Sequence, residues 1–211
     1  MSSIVIAGDT SGSVTLQAPA TAGTTILNLP ATSGTLAIGS GALVLLSTVT
    51  ASNSATVDIE STFDSTYDVY KLIISGLTLA TNNDTLSLRM KIGGSYITTA
   101  TYVRHHSIPN SNASTYTGSA SNGDDTIYLA SVGNAANCSV NYEITIFNPS
   151  STAFSKSITW HGTTITSLGY AANSSGGAHN TGTAALTGIR IYGNSSNVVA
   201  GKFRLYGIAN S

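Results

Sequence analysis

The sequence predicts an all-β protein in which a short arm of β-repeats precedes an antiparallel β-sandwich, with a jelly roll as the expected topology. Three observations favour this fold class. Apolar and polar residues alternate in many short segments, such as residues 86–92 and 140–146, and a period of two is typical of a strand with one buried face. Clusters of Gly, Asn, Asp and Pro, which favour turns, separate these segments. No apolar spacing of helical period continues beyond two turns.

Residues 1–40 contain a repeat with a period of 11 residues. The copies begin at Thr10, Thr21 and Thr32, and each predicts a glycine-containing turn followed by a short strand. Such short units cannot bury a face alone, so we expect the arm to complete its burial against other chains. The regular apolar spacing argues against the alternative of a disordered leader. The apolar residues predicted to attach and trimerise the arm are Val14, Leu16, Ile26, Leu27, Leu36 and Ile38.

Residues 41–211 are predicted to form the sandwich, because the composition changes near residues 39–41. Alternating segments predict strands near residues 55–60, 86–92, 140–146, 158–160, 189–191 and 202–208, and residues 69–74 predict a more fully buried strand. The side chains expected on the buried faces are Leu86, Leu88, Met90, Tyr142, Ile144, Trp160, Ile191 and Leu205.

Two polar, turn-rich segments, residues 104–125 and 170–183, are predicted to be long loops. Loops of more than about 12–15 residues in a compact domain are usually functional or disordered. Tyr and His rings offer flat faces to sugar rings, so the first loop is the candidate surface for a receptor or partner. Contact with a neighbouring subunit is the alternative. The candidate contact residues are Tyr102, His105, His106, Tyr116 and Asp124.

The composition excludes several classes of partner. The 211 residues include 8 Lys or Arg and 9 Asp or Glu, for a net charge of −1. The charged fraction is 8%, against about 25% in an average protein. A chain without a basic surface is not expected to bind nucleic acid. No apolar run approaches the ~20 residues of a membrane span, and no basic secretory signal precedes the first strand. We expect a soluble protein made in a cytoplasm, with no membrane partner.

Histidine and tryptophan offer two candidate sites, and simpler structural roles are favoured for both. His105 and His106 are adjacent, so on a strand they face opposite sides and cannot hold one metal ion. Cys138 is the single cysteine, which leaves no multi-cysteine metal site. Trp160 and His161 can form a stacking platform for a ligand, but a core tryptophan followed by an exposed histidine is the preferred interpretation.

The acidic residues also favour structural roles. Asp124 and Asp125 can contribute oxygens to a calcium loop, but an ordinary Asx-rich turn is preferred. Asp58 and Glu60 share one strand face, as glycosidase carboxylates can, but the opposite face of that strand is apolar, so the pair is expected to face water. No catalytic motif stands out. The sequence therefore predicts a protein that is not an enzyme, with no cofactor and no metal.

Two parts of the chain resemble virion proteins of tailed bacteriophages. Residues 12–20, 23–31 and 34–37 are similar to the N-terminal repeat of tail-fibre-like proteins, and residues 63–70, 89–94 and 203–207 resemble a domain that recurs in them. The resemblance implies a trimer with a jelly-roll head and no catalytic residues. It does not fix the location on the particle, because similar sandwiches with arms occur as capsid cement proteins. A long fibre has an extended shaft, and this chain has none.

The function predicted from the sequence is that of a non-enzymatic virion protein. It would form a short homotrimeric appendage that projects from the particle and contacts the host surface. Its expected partners are its own copies, other tail or capsid proteins, and a host surface glycan. A capsid decoration protein that stabilises the head is the first alternative. A carbohydrate-binding or depolymerising protein is the second.

Overall fold

The structure is a computed structural model that describes residues 3–7, 11, 13–17, 24, 42–60, 63–109, 111 and 118–210. All regular elements among these residues are β-strands, which confirms the predicted all-β class. No helix in this part of the chain is long and apolar enough to cross a bilayer. The chain divides into two units, residues 1–39 and 40–211.

The first unit contains an antiparallel hairpin of β1 (Ser3–Ala7) and β2 (Ser13–Gln17). β2 coincides with the strand predicted from the first repeat, whereas β1 was not predicted. Three consecutive apolar side chains of β1 are more than half exposed: Ile4 at 66%, Val5 at 61% and Ile6 at 55%. The remaining apolar residues of the predicted arm, Ile26, Leu27, Leu36 and Ile38, lie outside the described residues.

The second unit is built from thirteen strands among its described residues. They are β3 (Leu43–Ser54), β4 (Val57–Glu60), β5 (Val69–Leu79), β6 (Asp84–Ile92), β7 (Ser95–Tyr96), β8 (Tyr102–Ser107), β9 (Gly118–Asp124), β10 (Ile127–Val132), β11 (Val140–Phe147), β12 (Lys156–Ile165), β13 (Ala171–Asn180), β14 (Leu186–Gly193) and β15 (Val198–Ile208).

These strands form two antiparallel sheets in a sandwich-like arrangement. The larger sheet has eight strands in the order β3-β15-β5-β11-β12-β13-β8-β9. The smaller has five, in the order β10-β6-β14-β4, with β7 paired to β6. β10 of the smaller sheet contacts β8, β12 and β13 of the larger one. The jelly-roll topology stays a prediction.

The core lies between the inner faces of the two sheets. Leu88 of β6 and Ile144 of β11 are both fully buried, because alternate side chains of each strand point to the same face. The structure confirms every predicted core residue, since each is at most 3% exposed: Leu86, Leu88, Met90, Tyr142, Ile144, Trp160, Ile191 and Leu205.

The prediction of a more fully buried strand over residues 69–74 is wrong. Tyr70, Leu72 and Ile74 are buried, but the residues between them are only partly buried. The reason is that the second face of β5 belongs to the outer face of the eight-stranded sheet, which no other sheet of the described unit covers.

The prediction of two long loops is wrong for residues 171–180, which form β13, and for residues 104–107 and 118–124, which belong to β8 and β9. Residues 110 and 112–117, in the middle of the first predicted loop, lie outside the described residues. β13 lies between β12 and β8 despite its Gly-, Ser- and Asn-rich sequence. Its small inner residues leave room for Trp160 on the next strand. A Cβ atom on Gly176 would lie 2.4 Å from Cζ2 of that ring.

Candidate functional site

A shallow groove of about 600 Å³ crosses the outer face of the eight-stranded sheet. This volume falls within the range of small-molecule sites, about 300–1,000 Å³. Four neighbouring strands, β12, β13, β8 and β9, contribute to it. Its lining residues are Val103, Arg104, His105, Ala120, Ser121, Asn122, Ser157, Gly177, Ala178 and His179.

The groove exists because small residues occupy its floor. Gly177 pairs with His105, which in turn pairs with Ala120 on β9, and paired residues of antiparallel strands present their side chains to the same face. A Cβ atom on Gly177 would lie 3.2 Å from Cε1 of His105. The imidazole therefore lies close over the glycine backbone, and a larger side chain at position 177 would displace it.

A second row of side chains runs across the same four strands. Ser157 pairs with His179, His179 with Val103, and Val103 with Asn122. The row covers three inter-strand spacings, or about 14 Å. Its hydroxyl, imidazole and amide groups can both donate and accept hydrogen bonds. Val103 adds an apolar surface between the two polar halves of the row.

Arg104 is the one Lys, Arg, Asp or Glu among the residues that line the groove, and its charge is held on the inner face of the sheet. Its Nε lies 2.5 Å from Oδ2 of Asp124, and Nη1 lies 3.0 Å from Nδ1 of His106. The guanidinium also lies over the ring of Tyr128, at 5.7 Å from its centroid. The ion pair with Asp124 balances the charge of Arg104, and the groove presents neutral hydrogen-bonding groups.

The structure separates the residues that the sequence proposed as one contact surface. His105 is exposed and lines the groove. His106 is buried on the opposite face, as the alternation of adjacent strand residues requires. Asp124 is paired with Arg104, and Tyr116 lies outside the described residues.

The predicted contact role of Tyr102 needs correction, because Tyr102 belongs to the core. Its side chain is fully buried, and its hydroxyl accepts a hydrogen bond of 2.8 Å from the backbone N–H of Met90. Burial raises the pKa of this phenol to about 12. Tyr102 therefore connects the two sheets and has no surface to offer a receptor.

His106 is likewise a structural residue in the folded chain, because its ring is 8% exposed and packs on Tyr128 at 4.9 Å between centroids. Arg104 can only donate hydrogen bonds, so Nδ1 of His106 acts as the acceptor of the pair and the ring is neutral. Burial, followed by the charge of Arg104 and then His105, lowers the pKa of His106 below its usual value.

We predict that His106 makes the fold sensitive to mild acid. The unfolded histidine has a pKa of about 6.5, and the folded one has a lower pKa. The stabilisation is therefore complete above the unfolded pKa and is lost as the pH falls from about 6.5 through the folded pKa. Urea unfolding of the full chain between pH 7 and pH 5 should show a smaller decline for His106→Gln. The matched variant is His161→Gln, at an exposed position, and its free energy of unfolding should decline with pH like that of the parent. A decline in His106→Gln as steep as that of the parent would contradict the prediction.

The other sequence candidates have structural partners. Trp160 is buried and donates from Nε1 to Ser174 Oγ at 3.2 Å, while His161 is exposed, which confirms the preferred interpretation of that pair. Arg190 binds both carboxylate oxygens of Asp58, at 2.8 and 2.7 Å. No group of three or more metal-ligating residues occurs in the described part of the chain.

Glu60, Tyr96 and Arg190 form a connected charged cluster on the outer face of the smaller sheet. The Tyr96 hydroxyl donates to Glu60 at 2.7 Å, and the Arg190 guanidinium lies 4.0 Å from the centroid of the Tyr96 ring. The hydrogen bonds from Tyr96 and Lys91 lower the pKa of Glu60. The carboxylates of this face are therefore engaged in ion pairs and hydrogen bonds that stabilise the sheet surface.

Sequence reasoning found one side of the groove and missed the other. His105 was proposed as a contact residue, and Asn122 lies in segment 104–125, which was proposed as the contact surface. Ser157, Gly177 and His179 were not proposed, although His179 lay in a segment noted as a long loop. Alternation along β13 was the available signal, because it places Gly177 and His179 on one face.

Comparisons with protein-family models, curated proteins and solved structures found no match for this chain.

Proposed function

We propose that this protein is a non-enzymatic structural protein of a tailed-phage virion. Three copies would form a short appendage in which the arm attaches to the particle and the sandwich projects towards the host surface. The observation that carries the proposal is the exposed apolar surface of β1 in the N-terminal hairpin. The resemblance of residues 12–37 to the repeats of tail-fibre-like proteins supplies the identity of the particle.

Among the described residues the β1–β2 hairpin pairs with no third strand, which favours its completion by other chains. An isolated two-stranded sheet is at best marginally stable in water. Ile4, Val5 and Ile6 are consecutive and more than half exposed, so they expose apolar surface on both faces of the strand. Three such arms around a common axis would bury these side chains and pair the free strand edges.

The edge of the eight-stranded sheet offers a second surface for assembly. β3 is the first strand of that sheet and pairs with β15 on one side. Charged residues and proline are the usual means by which a protein protects an edge strand from pairing with another chain. The twelve residues of β3, LVLLSTVTASNS, include neither. Leu43 and Leu45 are 50% and 55% exposed. Within the described part of the chain no strand pairs with the other side of β3, and a long edge of this kind favours contact with another protein.

The low charge of the surface supports the same proposal. The described residues contain five ion pairs, which engage Lys71, Arg89, Lys91, Arg104 and Arg190. A chain with a net charge near zero is prone to associate, and association is the working state of a virion protein.

Quantitative analysis of purified virions tests the proposal. We expect the chain among the virion proteins, at a copy number on the order of tens, a multiple of three, and a native mass of three times 21.5 kDa for the isolated protein. Electron microscopy with an antibody to the sandwich should label the tail region. A copy number in the hundreds with label over the head would identify a cement protein instead, and absence from the virion would overturn both assignments.

A further inference from the structure

We infer that the groove over Gly177 is a binding site for an uncharged oligosaccharide segment. The inference rests on the proposed function in one respect, because a host-surface contact supplies the biological setting in which such a ligand is met. The site itself is argued from the groove, which shares part of segment 104–125, including His105, with the contact surface that the sequence suggested and extends onto β12 and β13.

The shape of the groove suits an extended, flat ligand. It is open along one face of the sheet, and four adjacent strands contribute side chains. The row from Ser157 to Asn122 is about 14 Å long, which exceeds the size of one sugar ring. Gly177 contributes no side chain, so the His105 ring that lies over it forms part of the floor against which a ligand would lie.

The charge of the groove selects a neutral ligand. The lining residues include no Lys, Asp or Glu, and Arg104 is held against Asp124 on the inner side of the sheet. An anionic sugar or phosphate would find no free cation to bind, and a cation would find no free carboxylate. Complementarity of charge therefore favours a ligand without ionised groups.

The polar groups of the groove match the chemistry of sugar hydroxyls. His105, His179, Asn122 and Ser157 each combine donor and acceptor capacity, as hydroxyl groups do. Val103 lies between His179 and Asn122 in the row and provides an apolar surface. A pyranose ring has hydroxyls at its rim and C–H groups on its faces, so it can use both kinds of surface together.

Titration calorimetry of the full-length protein with defined sugars tests this site. The probes are neutral hexasaccharides of glucose, mannose, galactose and N-acetylglucosamine, together with a sulfated galactan and a polyuronate fragment of equal length. We expect at least one neutral hexasaccharide to bind and both anionic ones to bind more weakly. Binding of no neutral member, or tighter binding of the anionic ones, would overturn the inference.

Gly177→Val is the decisive variant, because its side chain would occupy the floor beneath His105. We expect it to weaken binding by about tenfold or more, equal to about 1.4 kcal/mol. Thr163→Val is the matched control, since Thr163 is exposed on β12 of the same sheet and does not line the groove. It should bind like the parent protein. Equal affinity in Gly177→Val and the parent would place the ligand elsewhere and overturn the inference.

His179→Ala and Asn122→Ala keep the test decisive if Gly177→Val fails to fold. Both side chains are on the outer face, so their loss should weaken binding while the thermal unfolding midpoint stays near that of the parent. Unchanged binding in both variants would contradict the site. Sugar binding by a protein absent from virions would leave the groove assignment intact and overturn the proposed function. Incorporation into virions without sugar binding would leave the proposed function intact and overturn the groove assignment.

Discussion

Alanine in place of Leu88 or Ile144 is expected to lower the free energy of unfolding by about 2–5 kcal/mol. Both side chains are fully buried, one in each sheet. Leu88 lies between Ile127 and Ile191 of the neighbouring strands. Each truncation removes buried apolar surface and leaves a cavity that the paired strands on both sides prevent from closing.

Chemical denaturation of the full chain measures this effect, and Thr159→Ala is the matched control. Thr159 is exposed on β12, so its replacement should change the free energy of unfolding by less than about 0.5 kcal/mol. A loss of that small size for Leu88→Ala or Ile144→Ala would show that the inner faces of these strands are not packed as the structure has them.

The core could be predicted from the sequence because its strands alternate clearly. In β6 and in residues 140–145 of β11 each buried apolar residue is followed by a more polar one, so the period of two identifies the inner face without knowledge of the partner strands. Leu88, Met90 and Ile144 were assigned on this basis. The same parity places His105 and His106 on opposite faces, but the sequence analysis assigned both to a loop and proposed both as contact residues, and His106 is buried.

The strand β13 could not be predicted because its intrinsic preferences oppose its conformation. Its ten residues, AANSSGGAHN, are rich in types that are depleted from strands. Packing against Trp160 reverses that preference, since the ring requires small residues such as Gly176 beside it. This requirement comes from a neighbouring strand, and local sequence carries little sign of it.

The part of the groove on β12 and β13 was missed for a related reason, because the groove depends on the register between strands. Asn122, Ser157 and His179 are far apart in the chain, and they meet only because β12, β13, β8 and β9 are neighbours in that order. A shift of one residue in any pairing would move one of these side chains to the other face. Composition and periodicity do not specify which strands pair.

Deletion of residues 1–40 is expected to abolish trimer formation and incorporation into particles while the sandwich stays folded. Every residue of the described core cluster, from Ala51 to Leu205, belongs to the second unit, so its packing and cooperative unfolding should persist. The hairpin with its exposed Ile4, Val5 and Ile6 is removed, and with it the apolar surface that would join the chains. Analytical ultracentrifugation and virion composition measure the two losses.

A double substitution in the full-length chain tests whether assembly depends on the apolar side chains of the arm or only on the presence of the arm. Val5→Asn with Ile6→Asn keeps the arm but makes its exposed strand polar on both faces. The variant should unfold at the same temperature as the parent, because β1 lies in the first unit and contributes nothing to the described core of the second. It should nevertheless sediment as a smaller species and be depleted from virions, since the apolar contact is lost. Normal trimers and normal incorporation of this variant would show that assembly depends on another surface. The edge of β3, which pairs with no strand on its other side among the described residues and exposes Leu43 and Leu45, would then be the surface to disrupt.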